Sequence, residues 1–515
     1  MKYLVLAFAY IIGVVAERRL DRAWVSRAAG AVFYALTGAA LIALGVREYT
    51  MLGFQGDGVH YYSALRNLLA GNGLYEGPTF EHLLGNHSYV TLLAVAPLVA
   101  VFQSPVVLLV LTILSHLVSA VLVHRLAIRL VVPGDQNRLL PLVMGVLYLL
   151  YPTVFGLLFG RQLFQPDYLL APLLLLLVHA LADGRTHRAS ACIALIVLTK
   201  EEYIVTLPVM LVWALAGLGW VLGHRDLLSR RRLLEWVAVY VVSTVAAVVI
   251  LVEARSMNGL NYAVRDVFRI ERLLEPASWE FMFQELIVWI APLVPLLVLI
   301  AARRPARKAV VFTSLAIIAF LPGRSFGNLL IYGGHWWFQY ATWSDTVVAP
   351  VAFVTLIIAW SSARIAQADR RFQHSALLAA LLISFALTFH PDLNTPWRLV
   401  KRASEGTGRG PAEHRDELRA NCARLDAAVT TGQYDFVIIP DYTEALFVDR
   451  YSHVRLAWWN KTDPEIRAVL AASATCILIP KGHDWFTRVP ERLQSHMELM
   501  IDSEHYWVYV QKDEG

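Results

Sequence analysis

The sequence predicts a mainly α, polytopic membrane protein: a bundle of about 11–13 transmembrane helices followed by a small C-terminal α/β domain. Three observations predict it. The chain is 57% hydrophobic and 17% charged, with mean hydropathy +0.52, whereas soluble domains carry about 25% charged residues. Apolar runs of helical length recur from the N-terminus to about residue 390. Basic residues crowd into alternate loops between those runs, which is the pattern that orients helices in a bilayer.

The candidate spans, in order, are 3–16, 28–46, 105–130, 139–159, 168–182, 189–199, 203–222, 233–252, 286–302, 309–321, 346–360 and 375–389. A full span takes about 20 apolar residues. The first run is short and is followed by Glu17-Arg18-Arg19 rather than a small-residue cleavage site. It therefore reads as an extra helix, its insertion left open, more than as a signal peptide. Residues 90–102 are apolar but too short to cross and read as a juxtamembrane or re-entrant helix.

Counting up to about residue 390 from the loop that starts at Glu17, alternate loops hold 20 Lys and Arg residues, Arg125 and Arg129 at the adjoining span end included, and the intervening loops, although longer, hold nine. The first set is therefore cytoplasmic. The outer set is 47–104, 160–167, 200–202, 253–285, 322–345 and everything after about 390. The expected location is the cytoplasmic (inner) membrane, with the loops of interest and the C-terminal domain extracytoplasmic. The net charge of +5 belongs to this orienting pattern and does not argue for nucleic acid. Three cysteines are too few for a disulfide framework. Cys192 falls in an apolar run, and one bridge between Cys422 and Cys476 is left open.

The domain division expected is 1–390 in the membrane and 391–515 outside it, joined near the Gly-rich stretch Ser404 to Pro411. In the tail, Asp416 to Ala428 has helical spacing. Phe436–Ile439 and Cys476–Ile479 are short apolar runs closed by Pro440 and Pro480, which suits buried strands. Tyr506 to Val510 reads as a closing strand.

Two polar clusters stand out. Asp57 lies in Gly56-Asp57-Gly58-Val59-His60-Tyr61-Tyr62, ahead of a helical stretch, and at that spacing Asp57, His60 and Tyr61 share one face. Asp57 is suited to two roles, a helix N-cap or a general base toward a hydroxyl. Lys200, Glu201 and Glu202 interrupt two apolar runs, and ionisable residues at membrane depth usually mark a substrate path or reaction centre. The run before them, 189–199, makes only about 16 Å of helix. Either a Lys–Glu pair caps a tight hairpin there, or Lys200 holds an anionic group as a point charge while a glutamate orients a second substrate.

Arg161, Gln165 and Asp167 occupy the neighbouring outer loop, and short spans on that face suggest a wet depression in the outer leaflet. Asp57, His60, His82 and His87 fall in one loop, but their spacing matches no metal motif, so no metal ligands are assigned. His335 sits in an aromatic outer loop, Tyr332 to Tyr340, where interfacial anchoring competes with stacking on a sugar or prenyl chain. There is no P-loop, dinucleotide fingerprint or zinc motif.

At these residues the chain resembles the GT-C superfamily of polyprenyl-phosphate-sugar-dependent glycosyltransferases. The resemblance is carried by Gly56-Asp57 with Tyr61-Tyr62, Leu68-Leu69 and Gly71. It is closer to an uncharacterised family of bacterial and archaeal multi-pass proteins grouped with them. The matching segments are His87-Ser88 to Pro97-Leu98, Leu147 to Pro152, Phe164 to Asp167 and Leu198 to Glu202, with His335 to Pro350 as a later match. It covers about 50–220 well and thins afterwards.

The resemblance implies an inverting sugar transfer from a polyprenyl-phosphate donor to a hydroxyl of a glycan, lipid or protein acceptor on the outer side, with Asp57 as base. Lys200 and Arg161 would bind the donor phosphate. His60, His87, Gln165, Asp167, Glu201, Glu202 and His335 would bind substrate. Superfamily members often carry a second acidic residue beside that Asp. Gly58 stands there instead, so a paired-carboxylate metal site is incomplete and a divalent cation is left open as cofactor. The alternative is a flippase or transporter of lipid-linked glycans, or a non-catalytic membrane protein. Against a transporter, the charges favour one face and no internal repeat stands out.

Overall fold

The computed structural model describes residues 23–50, 58–71, 73–74, 82–131, 139–158, 164–258, 270–303, 305–332, 346–363, 370–388 and 420, and the strands at 436–440, 454–457, 475–480, 497–502 and 506–511. Among these, six helices are long and apolar enough to cross a membrane: Gly30–Arg47, Val106–Val131, Glu202–Val221, Arg230–Ser256, Pro276–Ala302 and Arg307–Gly327. Six shorter apolar helices join them: Val90–Phe102, Leu140–Leu149, Pro166–Ala182, Thr186–Val197, Val348–Ser362 and Gln373–Thr388. The architecture is mainly α and polytopic, as the sequence predicts.

Helix Val106–Val131 is the hub, packing on Ala23–Thr50, Leu139–Leu149, Leu170–Ala182 and Val348–Ser362. The last of these is apolar all round, and Val348 through Trp360 are buried without interruption, as such a helix must be. Arg230–Asn258 behaves oppositely. Its Val237, Val242, Val245, Val249 and Val252 are exposed, a face suited to lipid. Helices Glu202–Val221, Arg307–Leu315 and Val348–Ser362 meet at Gly217. There Trp213 stacks on Phe312 at 6.2 Å between ring centroids, and the Trp213 indole N–H donates to Thr355 Oγ1 at 3.1 Å.

Three expected spans differ in extent. The run 139–159 is two helices, Leu139–Leu149 and Pro152–Leu158. Pro152 ends the first, because it lacks the N–H that would continue the ladder, and opens the second. The span expected at 286–302 begins at Pro276. Glu280, Gln284 and Glu285 break its apolar run, although Phe281, Met282 and Glu285 are buried.

The span expected at 309–321 is not short. Helix Arg307–Leu315 passes through a π turn, Ala316–Phe320, and continues as Leu321–Tyr332. Pro322 and Gly323 look like a break in the sequence. The π turn shifts the hydrogen-bond ladder just where Pro322 has no N–H to give, so the helix survives. The part of the expected depression that rested on this span is withdrawn.

The tail strands form one five-stranded sheet of order β2-β1-β3-β5-β4. β1 (Phe436–Pro440) pairs in parallel with β2 (Val454–Ala457) and β3 (Thr475–Pro480). β5 (Tyr506–Gln511) runs antiparallel to β3 and to β4 (Met497–Asp502). β1, β3 and β5 are the strands the sequence predicts. The helix expected over 416–428 lies outside the described residues except at Ala420.

Candidate functional site

Two short helices raise the site. Leu170–Ala182 descends from it, a turn at Asp183–Arg185 reverses the chain, and Thr186–Val197 returns. The arms pack on each other. At 13 and 12 residues they are only about 20 and 18 Å long, whereas the hydrocarbon layer is about 30 Å thick. The second arm is thus too short to cross, whereas the 3-10 turn Pro166–Leu169 lengthens the first to Pro166–Ala182.

The base of this hairpin is basic. Asp183 pairs with Arg129 and, at 3.8 Å, with Arg185. The opposite end carries Pro166-Asp167 before the first arm and Thr199-Lys200-Glu201-Glu202 after the second. The two charge populations that the sequence separates are thus at opposite ends of one hairpin.

At that upper end the chain turns tightly. Thr199 Oγ1 donates to the Leu195 carbonyl at 2.7 Å, and the N–H groups of Tyr203 and Ile204 close on the carbonyls of Lys200 and Glu201. Helix Glu202–Leu215 then begins. The turn turns Lys200 inward. Its ammonium lies 3.2 Å from Asp167 Oδ1 and 3.5 Å from Glu202 Oε2, with the Lys200 and Asp167 side chains 5% and 0% exposed. Arg324 extends the row, with Nη1 2.8 Å from Glu202 Oε1. Four charges thus alternate in sign from Asp167 to Arg324. Such an array is favourable in an apolar setting only while each charge keeps a partner. Asp167 Oδ2 is buried with no hydrogen-bond partner among the described residues.

Glu201 faces the other way, toward the juxtamembrane segment. Its Oε1 is 2.6 Å from His87 Nδ1, and its Oε2 accepts the Ser88 N–H at 3.0 Å. Burial pushes the Glu201 carboxyl up, but the His87 hydrogen bond and charge and the Ser88 N–H outweigh it, leaving it at about 2. The segment is held by main-chain contacts as well. Thr91 N–H donates to the Leu198 carbonyl at 3.3 Å, and Arg255 Nε donates to the Gly85 carbonyl at 3.1 Å.

Helix Gly58–Leu69 packs onto the same region. Tyr61 donates to Gln165 Oε1 at 2.8 Å, and its ring meets Tyr89 and Phe164 edge to face. The structure therefore gathers Gln165, Asp167, Lys200, Glu201, Glu202 and His87 into one cluster. Asp57 immediately precedes the helix that carries Tyr61, and it lies, like Arg161 and His335, outside the described residues. The same is true of the His60 side chain. Among the described residues no group of three or more His, Cys, Asp or Glu is arranged to hold a metal ion.

Sequence reasoning misses Arg324, which falls in the expected outer loop 322–345. Its neighbour Ser325 donates to Glu285, a fully buried carboxylate on helix Pro276–Ile290. One helix thus presents Arg324 to Glu202 and Ser325 to Glu285. An arginine-serine pair one turn beyond an apolar run is the only signal the sequence holds for this.

Residues 57–256 match the model of a family described as a predicted membrane protein, DUF2079. The match begins at Asp57 and takes in every member of the cluster except Arg324. No curated protein matches the chain. Among solved structures, the crystal structure of ArnT from Cupriavidus metallidurans bound to undecaprenyl phosphate is similar with a TM-score of 0.54 at 12% identity, over 94% of this chain and 98% of that one. At that identity the likeness concerns the fold alone.

Proposed function

We propose that this chain is a membrane glycosyltransferase that moves a sugar from a polyprenyl-phosphate donor to an acceptor hydroxyl with inversion, on the extracytoplasmic face of the inner membrane. The observation that carries the reading is the buried charge cluster at the hairpin tip. A lipid-linked donor must be met where its phosphate enters the bilayer, and cations are expensive there unless they have such a task. The likeness of fold to ArnT, whose structure holds undecaprenyl phosphate, supports the same reading.

The chemistry asks for two groups. The acceptor oxygen attacks the anomeric carbon from the face opposite the phosphate, and the carbon–oxygen bond to phosphate breaks. Asp57 takes the hydroxyl proton, a role commonly worth about 10²–10⁴-fold in rate. The departing phosphate keeps the electron pair, and Lys200, with Arg161, stabilises the charge that grows on it. Of the two candidates for orienting the acceptor, Glu201, held by His87, takes that role. Gln165 and Asp167 set the floor of the site, and His60 and His335 complete the substrate contacts. In this reading residues 1–390 form the membrane domain and 391–515 an extracytoplasmic domain built on the five-stranded sheet.

Purified protein incubated with a panel of polyprenyl-phosphate sugars tests the proposal. Release of polyprenyl phosphate, with the sugar appearing on an added acceptor, is the expected result. Movement of intact lipid-linked sugar across proteoliposomes without release would replace the enzyme with a transporter.

A further inference from the structure

Two carboxylates reach Lys200, and they are not equivalent. Asp167 is fully buried beneath it on the turn Pro166–Leu169. Glu202 is 24% exposed and lies between two cations, one oxygen toward Lys200 and the other toward Arg324. A phosphate group offers the same thing to the same cations, paired anionic oxygens at hydrogen-bond distance. Of the two carboxylates, only Glu202 reaches both cations among the described residues.

We propose that Glu202 is a placeholder anion: it fills the phosphate position between Lys200 and Arg324 and leaves when the donor headgroup arrives. This rests on the donor reading above and adds to it where the phosphate sits and what must move. The exchange puts one anion in place of another between the two cations, and the displaced carboxylate has to reach solvent to avoid being stranded itself. The moving part is one side chain. Ser325, bonded to Glu285 and 3.3 Å from the Met282 carbonyl, pins the helix that carries Arg324. The Asp167 pair pins Lys200. Glu202 is the first residue of its helix and borders the partly open side where Glu201 and His87 are 24% and 39% exposed.

The test is calorimetric binding of a short-chain prenyl phosphate to purified protein in detergent, with inorganic phosphate as a second probe. Removing a competing internal anion strengthens binding, so Glu202→Gln should bind both probes at least about tenfold more tightly, the scale of one charge-assisted hydrogen bond. Glu202→Ala should do the same. Arg324→Gln should bind both about tenfold more weakly or worse. Asp167→Asn should not tighten binding.

Unchanged or weaker binding in both Glu202 variants overturns the inference and leaves the donor reading standing. Equal tightening by Asp167→Asn also overturns it, since the effect would then be bulk charge. Tightening toward the prenyl probe alone overturns it too, by moving the effect to lipid contacts. A wild-type protein and variants that bind neither probe remove the donor reading and the inference together. Melting temperatures of all variants, measured without ligand, separate lost binding from lost folding.

Discussion

Asp167 Oδ1 stands 3.2 Å from the Lys200 ammonium, and neither side chain is more than 5% exposed. A buried pair of this kind gains little over well-packed apolar residues, yet removing one partner strands the other. Lys200→Ala, which strands the buried carboxylate, should therefore destabilise the protein by about 3–5 kcal/mol, and Asp167→Ala by less, because Glu202 still lies 3.5 Å from Lys200. The double change to Leu and Met should recover most of the loss. Thermal unfolding in detergent measures all three. Additive losses in the double variant would show that the pair is not the relevant unit.

The contact of Glu201 with His87 makes a pH prediction. The Glu201 carboxyl is lowered from 4.5 to about 2 in the folded protein. A depressed acid contributes stability that is fully present above its unfolded value and is lost as pH falls toward the folded one. Glu201→Gln should therefore lower the melting temperature at pH 7, with the gap from wild type narrowing as pH drops below about 4.5. A gap that widens on acidification would show that the carboxylate is not held by His87 and Ser88.

Gly217 permits the close approach of three helices. A Cβ there would stand 2.5 Å from Ile358 Cδ1 and 2.8 Å from Phe312 Cζ. Overpacking a close contact costs about 1–3 kcal/mol, so Gly217→Ala should lower stability by that amount. Gly323, with nothing within 4 Å of a new Cβ, is the comparison site. Equal effects of Gly→Ala at both positions would remove the packing explanation.

What the sequence discloses of this protein follows the strength of each local signal. The hairpin is legible because two runs too short to span are flanked by ionisable residues, and an ionisable residue in such a place has few alternatives. That Lys200 would choose Asp167, 33 positions away, is not legible, because helix rotation decides which charge faces inward. Arg324 and Glu285 stay hidden for related reasons. Pro322-Gly323 imitates a helix end that the π turn overrides, and Glu285 looks like a solvated residue until Ser325 is placed beside it. In the tail, Phe436–Ile439 and Cys476–Ile479 read as strands because they are uninterrupted apolar runs. β4, whose Glu498 and Asp502 flank the short apolar run Leu499–Ile501 around a bulge near Leu499, is hidden by its mixed composition.

The acceptor side yields a further prediction. If Glu201 orients the acceptor, His87→Ala should raise the acceptor KM while leaving the affinity for prenyl phosphate within about twofold, because uniform binding energy is lost on one substrate only. A parallel loss of donor affinity would place His87 at the phosphate instead.

The central claim is sugar transfer from a polyprenyl-phosphate donor with Asp57 as base, and one measurement addresses it most directly. Wild type and Asp57→Asn are compared, at matched melting temperature, for release of polyprenyl phosphate across a panel of donor sugars with an acceptor present. The account predicts release by the wild type on at least one donor, an inverted anomeric configuration in the product, and a loss of about 10²–10⁴-fold in the variant. Release by Asp57→Asn at the wild-type rate would reduce Asp57 to a helix cap and contradict the mechanism. Absence of release from every donor by folded wild type would contradict the function itself.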